Sequence, residues 1–233
     1  MSAARDPRVA RALALGVALL AAARAAALPP VDVEVGYSDQ VLAARNYDLV
    51  SEQDHLSGLA FSAAVRPLAR WPLWWLELDD IYAGSSDLLH QQGSASLTLH
   101  DLGLSLLYRR PIAGLLTAFG RAGPRLAVGD LSLLDASGTT LAGEWQARPG
   151  VGGGAGLELR FSTDSKGPSG EPLAFGLRLE VGYAWFPDFQ FNGLTVPPPA
   201  GHPTPPPIPS NSVALGPLAA ANLNVGLNAF ARF

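Results

Sequence analysis

Catalysis by this chain would need a nucleophile beside a base, or a metal held by clustered donors. Its four histidines, His55, His90, His100 and His202, stand far apart, in no HExxH-like spacing, and cysteine is absent. Disulfide scaffolds and cysteine-ligated zinc or iron–sulfur centres are thereby excluded. A rim enzyme acting on lipid would draw on His55 or His90, and neither carries a local signature for it. Gly150 to Gly156 reads GVGGGAG, but it lacks the Lys-Ser/Thr of a phosphate loop and opens a strand pattern, not a helix. Small residues there suit close packing and sheet curvature. No catalytic residue, cofactor or metal site is expected.

What the residues do offer is paired charge. Asp32, Glu34, Glu77, Asp79, Glu158 and Glu180 are matched in number by Arg66, Arg121, Arg125, Arg160, Arg178 and Arg232, and all but Asp79, which precedes Asp80, stand between uncharged neighbours. Lys166 is the single lysine among 16 basic residues, and the planar fork of arginine suits dense carboxylate pairing better than an ammonium does. A formal net charge of −4 argues against a nucleic-acid partner. With 48% hydrophobic and 15% charged residues, the chain cannot be intrinsically disordered. Its 25 glycines and 20 prolines disfavour a long-helix architecture.

Strands must position these charges, because the dominant periodicity is two. In Leu173–Phe186 (LAFGLRLEVGYAWF), one face carries Leu173, Phe175, Leu177, Leu179, Val181, Tyr183 and Trp185. The other carries Ala174, Gly176, Arg178, Glu180, Gly182 and Ala184. The same alternation runs through Val31–Tyr37, Leu59–Val65, Trp74–Tyr82, Leu102–Tyr108, Leu116–Val128, Val151–Phe161 and Asn222–Phe233. Eight strands result. Asp80 interrupts one apolar face, and Leu97 and Leu99 have the wrong parity for theirs, so a bulge is expected near His100-Asp101. Links at 67–72, 110–114 and 162–172 alternate with longer ones at 38–56, 84–94, 129–146 and 187–218. The last contains VPPPAGHPTPPPIP, expected to be a stiff, polyproline-like outer loop.

Period alone does not say which face is inside. A soluble sandwich or lipocalin-like barrel buries the apolar face; a transmembrane barrel turns it outward. Three features favour the second. The polar faces are largely glycine, alanine and paired charge, which suits a narrow lumen where unpaired charge would be costly. Aromatic residues Tyr37, Trp74, Tyr82, Tyr108, Tyr183, Trp185 and Phe233 cluster near strand ends on the apolar faces, as in interfacial girdles. Short links on one side and long ones on the other fit the same architecture. An eight-stranded barrel is just wide enough for side chains to fill, so the expected interior is a closed ionic plug.

Ahead of the strands, Arg5, Arg8 and Arg11 precede the apolar run Ala12–Ala23 and the small residues Ala25-Ala26-Ala27. This is the layout of a cleaved signal peptide, and the run is too short to span a bilayer. Residues 1–27 are expected to be removed, leaving 28–233 as one barrel.

The final strand, NLNVGLNAFARF, alternates without a break from Leu223 and ends in Phe233. In this it resembles the eight-stranded outer-membrane barrels of Gram-negative bacteria, the OmpA/OmpX-like group. Ala231 departs from the pattern, since that group often has an aromatic residue there. The resemblance implies an all-β, eight-stranded antiparallel up-and-down transmembrane β-barrel in the bacterial outer membrane. It further implies contact with outer-membrane lipid, a monomer, and an assembly signal (Leu223, Val225, Leu227 and Phe233) read by the barrel assembly machinery. A non-catalytic role, structural or through the outer loops, follows. The alternatives at this point are a narrow porin-like channel and an exported soluble β-barrel or sandwich that binds a ligand.

Overall fold

The computed structural model describes residues 29–42, 55–89, 93–135, 138–191, 194–195, 212–213, 217–218 and 220–233. The expected signal peptide, His90, His202 and the whole of the proline-rich run 196–209 lie outside them. Eight strands form the body: β1 (Val31–Leu42), β2 (His55–Val65), β3 (Trp74–Leu89), β4 (Gly93–Ala113), β5 (Leu116–Asp135), β6 (Thr140–Lys166), β7 (Pro172–Trp185) and β12 (Asn222–Arg232). Between β7 and β12 lie four two-residue strands, β8 (Phe189–Gln190), β9 (Leu194–Thr195), β10 (Ser212–Val213) and β11 (Pro217–Leu218). Every neighbouring pair in the body is antiparallel and sequential, and β1 pairs with β12, so the sheet closes into an up-and-down barrel. The seam is completed where Val31 N donates to Phe233 O at 3.2 Å and Phe233 N donates to Val31 O at 2.9 Å.

Register fixes the dimensions. Starting at Val31, the paired positions run Val65, Leu76, Leu106, Ala122, Gly153, Tyr183 and Leu223, and return to the first strand at Val41. The ladder is therefore sheared by ten residues over one circuit. With eight strands, that shear sets a tilt of roughly 40° and a backbone cylinder about 8 Å in radius. Each residue then climbs about 2.5 Å along the axis. The lumen admits one layer of side chains from each wall and little else.

Both termini of the body and the turns at 66–73, 114–115 and 167–171 lie at one end, the turn end. Gly114 occupies the two-residue turn with φ +48°, a conformation open to glycine at no steric cost. At the opposite, loop end the strands run further than their apolar alternation predicts. β3 and β4 stay paired to Leu89 and Gly93, and β5 and β6 to Leu134 and Thr140. The long links expected at 84–94 and 129–146 are thus mostly strand, and β6 reaches 27 residues. The bulge expected near His100-Asp101 is absent: the β3–β4 and β4–β5 registers are continuous there, and β4 shifts only between Pro111 and Ala113.

Facing is sharply split. Leu177, Leu179 and Val181 point outward at 49%, 52% and 51% exposure, whereas Arg178 and Glu180, between them, are 1% and 4% exposed. Along β4 the chemistry of the two faces inverts at constant parity. From Leu102 to Tyr108 the outward residues are Leu102, Leu104, Leu106 and Tyr108, and the inward ones include Gly103 and Ser105. From Ser94 to Thr98 the outward residues are Ser94, Ser96 and Thr98, and the inward ones are Ala95 and Leu97. On β5, Leu126 and Val128 face outward, but beyond them Asp130 and Ser132 do, with Leu131 and Leu133 turned in. Leu97 and Leu99 have the parity of the lumen, and no bulge is needed to explain them.

Candidate functional site: the lumen of the barrel

The lumen holds one connected ionic network. At its turn-side half, Arg232 binds Asp32 with two donors at 2.7 and 2.8 Å. Arg109 reaches Asp32 at 2.5 Å and Glu158 at 2.8 Å. Arg178, wholly enclosed, contacts Glu34 at 2.7 Å, Glu158 at 2.8 Å and Glu77 at 2.9 Å. Glu77 passes the network on to Arg121 at 2.6 Å, which also holds Asp79 at 2.8 Å and Glu180 at 2.7 Å. Arg125 ends it, bound to Asp79 at 2.6 Å and Asp101 at 2.7 Å. Forked guanidiniums that each bridge two or three carboxylates satisfy charges which singly could not be buried.

Ten of the twelve charged residues picked out by alternation are brought together here: Asp32, Glu34, Glu77, Asp79, Arg121, Arg125, Glu158, Arg178, Glu180 and Arg232. Arg66 and Arg160 are not in the network. Arg66 lies one residue beyond β2 and pairs with Glu171 of the β6–β7 turn, because at this tilt an inward position at a strand's end opens on the mouth. Arg160 lines the same mouth. Two members were missed. Arg109 adjoins residues read as a link, and Asp101 fell on the expected bulge; carrying the parity of Gly103 and Ser105 in both directions would have found them. The network therefore joins five arginines to seven carboxylates, not six to six.

Glycine on the inner face of β6 makes room for these groups. A β-carbon at Gly152 would fall on Arg125, one at Gly154 on Glu180, and one at Gly156 on the ring of Phe119. The GVGGGAG run thus cradles the network from one wall. Between the charged groups lies a gap of about 20 Å³, bordered by Glu34, Ser38, Glu180 and Asn224. That is room for about one water molecule.

Below and above the network the filling changes. At the turn end, Trp75 packs with Ala64, Leu107 and Phe119 and has the guanidiniums of Arg109 and Arg232 at 4.5 and 4.8 Å from its ring centre. At the loop end the filling of the lumen is mostly apolar, with Gln40 and Asn222 buried beside it. Leu56, Leu97, Leu99, Leu131, Leu133 and Phe186 line it, and Phe189, Phe191, Leu218 and Ala220 enter from the β7–β12 connection. Phe189 stacks on Phe191 with ring centres 5.5 Å apart and fits against Gly129, where a β-carbon would meet the ring at 3.1 Å. The ends of the segment expected to be an outer loop thus fold back into the barrel mouth, held by the β8–β11 pair.

Of the two histidines among the described residues, neither joins the network. His100 faces outward, 3.2 Å from Asp80, with its ring 4.8 Å from that of Tyr82. His55 begins β2. The described contacts of His100 include no serine hydroxyl.

No protein-family model matches this chain, and neither does any curated protein sequence. Among solved structures, the chain is similar to Ail, the attachment invasion locus protein of Yersinia pestis, in complex with the heparin analogue sucrose octasulfate. The identity is 12% and the TM-score 0.49, covering 88% of this chain and 99% of that one. It is similar to Neisserial surface protein A at 12% identity and TM-score 0.45, over 87% and 94% of the two chains. It is also similar to the N-terminal β-barrel domain of Pseudomonas aeruginosa OprF at 14% identity and TM-score 0.41, over 88% and 98%.

Proposed function

We propose that the protein is a monomeric β-barrel of the bacterial outer membrane with a closed lumen. It acts as a structural element of the envelope or through its loop end, and not as a catalyst. The observation that carries this reading is the wall of exposed Val, Leu, Phe, Tyr and Trp surrounding a charged interior. An exposed apolar belt of that extent has no place in water, and a closed strand barrel is one of the two structures that leave no backbone group unpaired in lipid. On β7, Leu173 to Trp185 rises about 30 Å at the tilt set by the shear. That covers an apolar band of roughly 25 Å with its girdles. Trp74, Tyr108 and Phe161 edge the belt at the turn end, and Tyr82, Tyr183 and Trp185 edge it toward the loop end. Where the β4 and β5 faces invert, the strands leave lipid for water and bury their apolar side as a soluble sheet does.

Two fillings of opposite chemistry support the closed reading: the ionic network and the apolar plug above it. The C-terminal strand, with Leu223, Val225, Leu227 and Phe233 outward, would be the segment that the assembly machinery reads, and residues 1–27 the export signal. Membrane fractionation with heat-modifiable gel migration tests the location. The protein is expected in the outer-membrane fraction, with a folded band that shifts on boiling; recovery in the aqueous fraction without detergent would overturn it. Planar-bilayer recording tests closure, and steady unitary currents would replace this reading with a porin-like channel.

A further inference from the structure

The turn end of the lumen contains a second cavity, of about 90 Å³, several times the central gap. Four arginines line it: Arg66 just past β2, Arg109 on β4, Arg160 on β6 and Arg232 on β12, with Glu171 the one carboxylate in its wall and Trp75 beside them. Arg66 is paired with Glu171, and Arg109 and Arg232 with Asp32 and Glu158 below the surface. Arg160 has no carboxylate partner among the described residues, so the mouth carries one cation in excess. Donors are also left over. Arg66 Nε and Arg109 Nη1 are both enclosed and have no hydrogen-bond partner in the protein, and Arg109 as a whole is only 4% exposed. Buried donors without partners call for an acceptor.

We infer that this mouth is a binding site for one tetrahedral oxyanion of the phosphate class. Guanidiniums approach from β4, β6, β12 and the turn that follows β2, which suits a tetrahedral group better than a planar carboxylate, and forked donors match phosphate oxygens in geometry and charge. The phosphate would come either from solution or from the headgroup of a lipid at the barrel rim. The site stands on the cavity and its donors, independently of which membrane or compartment the turn end meets.

The test titrates purified barrel in an uncharged sugar detergent with inorganic phosphate at constant ionic strength, by calorimetry and phosphorus NMR. A parallel arm adds short-chain phosphatidylglycerol or the phosphate-free diacylglycerol to the same micelles. Single-site saturable binding of phosphate is expected. Arg160→Gln should weaken it roughly tenfold or more, the loss of one charge-assisted contact. Arg66→Gln should weaken it as well, and Arg70→Gln, on the same turn but outside the cavity, should not. Binding of phosphatidylglycerol alone, lost with Arg160→Gln, would support the site with lipid as its source. No saturable binding in either arm, or equal loss with Arg70→Gln, would overturn it. Circular dichroism of each variant, checked for unchanged strand content, keeps a folding defect from passing as lost binding.

Discussion

The two ends of the lumen are filled by opposite means although the same strands build both. In the turn-side half, β4 turns Arg109 and Asp101 inward, on either side of Ser105, and packs them into an ionic network; in the loop-side half it turns Leu99, Leu97 and Ala95 inward and packs them in one cluster with Phe189 and Phe191. Nothing in the backbone changes between the halves. On the proposed membrane reading, what changes is the medium outside the wall. Where hydrocarbon takes the apolar face, the polar face must be sealed inside, and only mutual pairing makes that tolerable. Where water takes the polar face, apolar residues fill the middle in the ordinary way. On that reading, polarity at fixed register reports the depth at which a strand leaves the membrane.

This contrast is open to direct attack. The largest effect is expected at the junction of the network, where Arg178→Ala strands Glu34, Glu77 and Glu158. It should cost about 3–5 kcal/mol, measured by denaturant unfolding in lipid vesicles; a cost near zero would mean that the network is not a tight seal. Next comes the outer wall. Leu104→Arg and Leu179→Arg should each cost about 2–4 kcal/mol if near the bilayer midplane. Arginine introduced higher on the same face of β4, as Ser96→Arg, should change stability by no more than about 0.5 kcal/mol. Equal costs at 96 and 104 would erase the inferred membrane boundary. The smallest effect is expected in conduction. Truncating the upper plug with Phe189→Ala and Phe191→Ala should leave planar-bilayer recordings silent, because the ionic network still closes the lower half. Currents in that variant would show that the apolar plug alone holds the barrel shut.

Much of the body was legible in the residues. The faces of β7 and β12 were assigned residue by residue, because every second side chain on each is apolar and nothing interrupts the count. Asp80 was read as a break in an apolar face, and it does face outward, beside His100. Several of the failures share one cause, the assumption that a strand keeps its apolar side outward along its whole length. That assumption demanded a bulge at His100-Asp101, ended β3 and β5 too early, and left Asp101 out of the network; Arg109 escaped because it adjoins the link expected at 110–114. Tolerance of both facings in one strand requires two solvents, and no local pattern distinguishes a second solvent from an irregularity.

By itself, then, the chain determined a closed set of alternating strands and nearly all of the charges that meet inside them, because a period of two is a local property that survives any environment. The turn-side position of Arg66 and Arg160, the joining of Arg178 to carboxylates on three other strands, and the return of Phe189, Phe191 and Leu218 into the mouth were decided only by tertiary structure. Shear and tilt set which rung of one strand faces which rung of another, and those quantities exist only once the barrel has closed.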